Sequence, residues 1–391
     1  MRTPLAWKNL TSSYSKCVLA ATGVGFAVVL MFTQIGFRNA LIDNNVQLFT
    51  LFDGDVANLA IVSKARYNVS TEQRFPRRTL ELAAAVDGVL DTCSVSIERG
   101  TASIKVSGFA ARPIRVLGIE LSSPDFLHSP SLFEQLQTTV RTQSALVDRR
   151  SKTDYGFART SATLREQSAE LNGKAISFAG QFNLGTDFGN DGTLLMAESV
   201  HAAYFPWRNK TGDPRDVVDI GFLRVDPSYD LEEVSRQIES LAPQQIDVQP
   251  TTQLIAREKS FWAKATPIGK IFFIGTIMGL VVGAIICYQI QFTDITEHMP
   301  EFATLKAMGY GPRYFWGLIL CQSLYLAFLG FVPGLIVSFG LYQLLAEISG
   351  LVMSMTLSRI ALVWVLTLVM CVVSGSLAIR KLFNSDPASL F

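Results

Sequence analysis

The chain has 391 residues, of which 49% are hydrophobic and only 17% charged, against roughly 25% charged in ordinary soluble domains, which strains a purely soluble reading. With 34 basic and 33 acidic side chains the net charge is +1, so the molecule as a whole has no large electrostatic bias toward nucleic acid. Five cysteines are too few for a disulfide-stapled scaffold.

Residues 1–16 hold Arg2, Lys8 and Lys16 and no acid, which by the positive-inside rule places the N-terminus in the cytoplasm. Cys17 to Phe37 then runs without a charge, long enough to cross a hydrocarbon core of about 30 Å. Its apolar run exceeds a signal-peptide core, and Gly36-Phe37-Arg38-Asn39-Ala40 is a poor cleavage site, so an uncleaved anchor is expected. Arg38 to Pro267 forms a 230-residue segment with 25 basic and 28 acidic side chains, the balance of a soluble domain. Strand patterns fall at Val56–Val62, Ser94–Glu98, Ala102–Val106, Ile114–Leu121, Ala175–Phe182 and Val217–Val225. Helical patterns fall at Arg78–Val86, Ser131–Thr142, Leu231–Leu241 behind Asp230, and Thr251–Trp262. This α+β segment divides into a lobe of residues 38–144 and 216–267 and an inserted lobe of residues 145–215.

Three further spans follow at 268–292, 315–346 and 360–379, and a tail at 380–391 opens with Arg380 and Lys381. The expected fold is therefore a four-helix membrane protein with a large α+β extracytoplasmic domain inserted between helices 1 and 2, both termini cytoplasmic. The third span is too long for a straight crossing, and Pro333 between Gly330 and Gly334 is the expected kink. Gly275, Gly279 and Gly283 form a bare strip along the second span, suited to close helix packing either within the chain or against a second copy.

No Walker sequence, nucleophile elbow or zinc spacing is present, so no catalytic, cofactor or metal site is expected. Asp187 to Glu198 echoes a calcium loop, but Gly189 supplies no ligand at its third position, and a plain turn is expected. The charged groups of the outer segment read as solvated surface. Four cysteines lie in the spans and only Cys93 outside them. The loop 293–314 is the most informative stretch. Pro300 and Glu301 open a short helix, Gly309 and Pro312 close it, and Phe302, Leu305 and Met308 at three-residue spacing form an apolar stripe facing lipid or another protein.

Glu301-Phe-Ala-Thr-Leu-Lys-Ala-Met-Gly309 resembles the cytoplasmic coupling helix of the permeases of MacB/FtsX/LolC-type ABC transporters, and Leu5-Ala-Trp-Lys-Asn-Leu10 resembles their N-terminal segment. Within that family the stretch from Asp294 to Tyr310 is most similar to the DevC-type permease of cyanobacterial exporters. The resemblance implies an inner-membrane permease dimer working by mechanotransmission. It implies a separate ABC ATPase that uses ATP and Mg, a periplasmic membrane-fusion adaptor, a TolC-like outer-membrane channel, and export of a lipid, glycolipid or other substrate among membrane lipids. Glu301, Phe302, Leu305, Lys306, Met308 and Gly309 would be the coupling helix, with the apolar stripe entering a groove on the ATPase. The alternatives are an FtsX-like signalling subunit that regulates a periplasmic partner without carrying cargo, and a membrane-bound enzyme, which would need clustered ionisable groups in the outer segment.

Overall fold

The computed structural model describes residues 14–383 apart from residues 70, 188 and 211. The Leu5–Leu10 segment and the end of the tail lie outside the described residues. In chain order the elements are α1 (Tyr14–Asn44), β1 (Leu59–Ser63), β2 (Phe75–Pro76), α2 (Arg77–Ala83), β3 (Val89–Glu98), β4 (Ser103–Val106), β5 (Arg112–Pro113), β6 (Arg115–Ile119), α3 (Pro130–Thr142) and β7 (Ser144–Asp148). There follow α4 (Ser161–Arg165), β8 (Ala169–Leu171), β9 (Lys174–Phe182), β10 (Thr193–Ala197), α5 (Glu198–Tyr204), β11 (Val217–Val218), β12 (Ile220–Val225), α6 (Leu231–Leu241) and β13 (Ile246–Pro250). The chain ends with α7 (Thr251–Lys264), α8 (Pro267–Glu297), α9 (Met299–Ala307), α10 (Pro312–Ser349) and α11 (Leu357–Phe383).

The chain divides into two compact units. One takes residues 40–266 together with the short segment 346–352, and the other takes the remaining described residues, 14–39, 267–345 and 353–383.

In the first unit eleven strands form one sheet in the order β13-β1-β12-β3-β6-β10-β7-β9-β8-β4-β5, antiparallel except for β6 with β10 and β7 with β9. Strands β1, β6, β7 and β10 are buried along their whole length, so both faces of the sheet are covered. Alternation along each strand sorts the side chains. Ala60, Phe222, Leu117, Leu195 and Leu146 share one core with Phe49, Phe52, Phe126 and Leu136, running unbroken beneath the sheet from β1 to β7. The opposite face carries two separate cores. Leu59, Ile61 and Leu223 pack with Leu80 of α2 and Val234 and Ile238 of α6 at one end. Val116, Val147, Leu194 and Met196 pack with Leu164 of α4 and Val200, Tyr204 and Phe205 at the other. This last core draws on residues 102–116 as well as on 145–205. Helix α6 begins where its sequence signals it: the Asp230 carboxylate accepts the Glu232 amide at 3.2 Å, and Glu232 and Glu233 face the positive helix end.

Among the described residues four helices are long and apolar enough to cross a membrane, over Val18–Asn44, Gly269–Glu297, Arg313–Ser349 and Leu357–Arg380, and the greater part of each lies in the second unit. Helix α1 supplies the largest share of the buried residues in that unit's main core. Val24, Ala27, Val28, Met31 and Phe32 are fully buried, with Phe331 of α10 and Val363 and Met370 of α11 among their neighbours in this core. Small residues let the backbones approach. A Cβ placed on Gly283 would lie 2.6 Å from that of Ala27 and collide with Met370 Sδ, one on Gly275 would meet Gln34 Oε1 at 2.5 Å, and one on Gly279 would sit 3.6 Å from Leu30 Cβ. The glycine strip of α8 thus faces α1 of the same chain.

Helix α10 runs unbroken for 38 residues with Pro333 inside it, where the missing N–H leaves the Leu329 carbonyl without its usual helical donor. Gly330 and Gly334 on either side have a second role that their sequence context did not reveal. A Cβ on Gly334 would stand 3.0 Å from the Gly25 carbonyl oxygen of α1, so these glycines are where two helix backbones touch.

Candidate coupling site

The short helix between α8 and α10 is built by local signals. Pro300 lies in its first turn beside Glu301, and His298 precedes it as N-cap. The imidazole Nδ1 of His298 lies 2.9 Å from the Asp294 carbonyl oxygen, an acceptor, so this nitrogen carries the proton. At the other end Gly309 adopts φ +94°, its amide donates to the Lys306 carbonyl at 3.0 Å, and the Tyr310 amide reaches back to the Leu305 carbonyl at 3.2 Å. Those two bonds and the left-handed glycine are a Schellman cap, which satisfies carbonyls that would otherwise be orphaned.

The helix is moored on one side only. Phe302 is buried against Phe315 of α10, with ring centroids 5.9 Å apart and nearly perpendicular, in a cluster with Ile295, Ile319, Ala378 and Ile379. Leu305 is half-buried against the same cluster. Glu301, Lys306, Met308 and Gly309 are exposed, Met308 to 64%. This corrects the expected stripe: Phe302 and Leu305 face the chain's own helices, and of the three apolar residues only Met308 points away, with Tyr310 following it.

A buried polar chain lies beside this mooring. Gln322 of α10 donates to the Asp294 carboxylate. One residue on, Ser323 donates to Gln291 Oε1 at 2.9 Å, and Gln291 Nε2 donates to the Cys371 carbonyl of α11 at 3.2 Å. Gln291, Gln322 and Ser323 are all buried. Polar groups inside an apolar bundle are retained where they hold helices in register or serve a function. Here they tie α8, α10 and α11 together next to α9. The only sequence signal for them was their polarity within uncharged runs.

The unit of residues 40–266 does bring ionisable groups together, which the sequence did not reveal. Asp219, wholly buried, accepts from Arg66 at 2.8 Å, Arg208 at 2.6 Å and the Ile97 amide at 2.9 Å. Glu98 accepts from Arg208 at 3.2 Å, Arg74 at 2.9 Å and Thr101 at 2.7 Å. Burial pushes the Glu98 carboxyl up and the Arg66 guanidinium down from their usual ranges, against the pull of these partners. Arg77 joins Glu198, Glu120 and Ser94 into a second cluster. Asp187 closes a turn through the Gly189 amide and Asn190 and is paired with Arg115 and Arg99. Burial raises its carboxyl, but the two arginines and the turn outweigh that and hold it below the carboxylate range. The three acids of the Asp187–Glu198 stretch therefore answer separate partners: Asp187 its two arginines, Asp191 the Lys152 ammonium at 2.7 Å, and Glu198 the Arg77 guanidinium. Among the described residues no group of three or more His, Cys, Asp or Glu converges as a metal site. Each cluster matches guanidinium to carboxylate inside the fold, an arrangement that holds strands and turns.

No curated protein sequence matches the chain at a significant level. In structure the chain is similar to the periplasmic region of MacB from Actinobacillus actinomycetemcomitans, at 9% identity over 51% of this chain and 91% of that one, with a TM-score of 0.36. It is also similar to the extracellular domain of the noncanonic ABC-type transporter YknZ from Gram-positive bacteria, at 10% identity over 49% of this chain and 98% of that one, with a TM-score of 0.32. Residues 272–387, the stretch that holds α9 and its mooring, match the sequence model of the FtsX-like permease C-terminal family.

Proposed function

We propose that this chain is the membrane-spanning, non-catalytic permease subunit of an ABC transporter, driven by a separate ATPase that binds ATP and Mg and pushes on α9. The observation that carries the reading is the construction of α9 within the segment matching an FtsX-like permease domain: a capped helix fastened by Phe302, with Met308 and Tyr310 turned outward. A rigid short helix fixed to α8 and α10 on one side transmits a push on its free side to both. The basic N-terminal residues favour cytoplasmic termini in a cell inner membrane. Export of a lipid or glycolipid by a DevC-like dimer, through a membrane-fusion adaptor and a TolC-like channel, is the finer form of the same proposal.

The test is affinity purification of the full chain in mild detergent, wild type against Met308→Asp. An ATPase subunit retained by the wild type and lost by the variant at unchanged chain yield supports the reading. Retention by neither, or equally by both, overturns it.

A further inference from the structure

Ala346–Val352, the end of α10 and the first residues beyond it, belongs to the compact unit of residues 40–266, whereas Met353 and the residues after it belong with the helices. Ala346–Val352 contains the last turn of α10, and Gly350 ends that helix at φ +72°. The Ser349 carbonyl accepts the Thr186 hydroxyl at 3.1 Å and the Gly350 carbonyl accepts the Thr186 amide at 3.4 Å. The Val352 amide donates to Asn44 Oδ1 at 3.2 Å. Two glycines make the approach: a Cβ on Gly350 would lie 2.7 Å from the Arg150 carbonyl oxygen, and one on Gly185 3.0 Å from Val352 Cγ2.

The receiving surface is stiff. The buried Asp148 carboxylate accepts the amides of Leu184 at 3.0 Å, Gly185 at 2.8 Å and Arg150 at 3.1 Å, so one side chain sets both walls of the cradle. Immediately beyond Thr186, Asp187 is locked by Arg115 and Arg99. A loop free to wander needs neither a fixed glycine geometry nor a preformed seat.

We propose that the Ala346–Val352 loop is a clip, a third attachment of the outer domain beside its two covalent connections to α1 and α8, and that displacement of the α10–α11 hairpin reaches the outer domain through it. The attachment stands on geometry alone; the transmission rests on the permease reading above.

Amide exchange of the full chain in lipid nanodiscs, wild type against Gly350→Ala, Thr186→Val and Thr186→Ser, separates the two. In the wild type the Thr186 and Val352 amides are expected to be protected. They should exchange at least tenfold faster in Gly350→Ala and in Thr186→Val, and remain protected in Thr186→Ser, with β6 and β10 unchanged throughout. Wild-type amides at these two positions that exchange like an open loop overturn the clip. With the ATPase subunit and trapped nucleotide added, the outer-domain exchange pattern should change in wild type and Thr186→Ser and not in Thr186→Val. A response preserved in Thr186→Val overturns transmission by the clip. A wild-type outer domain indifferent to nucleotide overturns the permease reading and the transmission with it, while the protection measurement still decides the attachment.

Discussion

Gly25 of α1 and Gly330 of α10 meet backbone to backbone: a Cβ on Gly25 would lie 3.3 Å from the Gly330 carbonyl oxygen, and one on Gly330 3.2 Å from the Gly25 nitrogen. Association of apolar helices gains little from the hydrophobic effect, so this contact rests on close packing that any side chain would prevent.

Gly330→Val is therefore expected to cost about 1–3 kcal/mol through overpacking. Gly340→Val, on the same helix with open space at its Cβ, should cost far less. Thermal unfolding of the two variants in detergent, followed by loss of helical circular dichroism, makes the comparison.

On α9 the two ends of the apolar stripe should separate cleanly. Phe302→Ala, which empties a buried aromatic site, is expected to destabilise by about 3–5 kcal/mol. Met308→Ala, at an exposed position, should stay within about 0.5 kcal/mol. Denaturant midpoints of the purified chain measure both.

Gly309→Ala asks a residue with a Cβ to hold φ +94°. The cost is about 1–2 kcal/mol, confined to the Schellman cap. Faster exchange of the Tyr310 amide, whose acceptor is the Leu305 carbonyl, would be its local signature.

His201 provides a pH dependence. Burial first, and then the charges of Arg208 and Arg74, push its imidazole well below the usual histidine range. The folded state keeps it neutral, while the unfolded chain takes up a proton below about pH 6.5. Stability contributed by the neutral ring is thus complete above that pH and falls on acidification toward the depressed folded value, by at most about 1.4 kcal/mol per pH unit. In His201→Phe this component should vanish. Exchange of the β6 and β10 amides between pH 7 and 5, corrected for intrinsic rates, is the measurement.

Breaking the pair at Asp219 tests the reading of the charge clusters as structural. Asp219→Ala leaves Arg66 and Arg208 buried without their shared carboxylate and is expected to cost about 3–5 kcal/mol. Loss of the fold of the sheet-bearing unit, seen as proteolytic sensitivity, is the expected outcome.

What the sequence could reveal was local. The four spans, the Asp230 cap, the Leu231–Leu241 helix and both ends of α9 follow from residue types acting within a few positions. The direction of the stripe on α9 was misjudged for a geometric reason. At 3.6 residues per turn, three-residue steps fall short of a full turn, so Phe302 and Met308 stand about 120° apart and cannot share one face. Strands β7 and β10 escaped notice because five-residue runs buried on both faces, Ser144–Asp148 and Thr193–Ala197, show no alternation to read. The charge clusters were beyond reach of spacing arguments, since Arg66 and Asp219 are 153 positions apart.

The unbroken core beneath the sheet limits how this domain can be remodelled. Leu146 and Leu195 close over the same apolar floor as Ala60 and Phe222. A graft that exchanged residues 145–215 for a foreign module would strip the roof from Phe49, Phe52 and Phe126 unless the newcomer arrived with a matching oily underside.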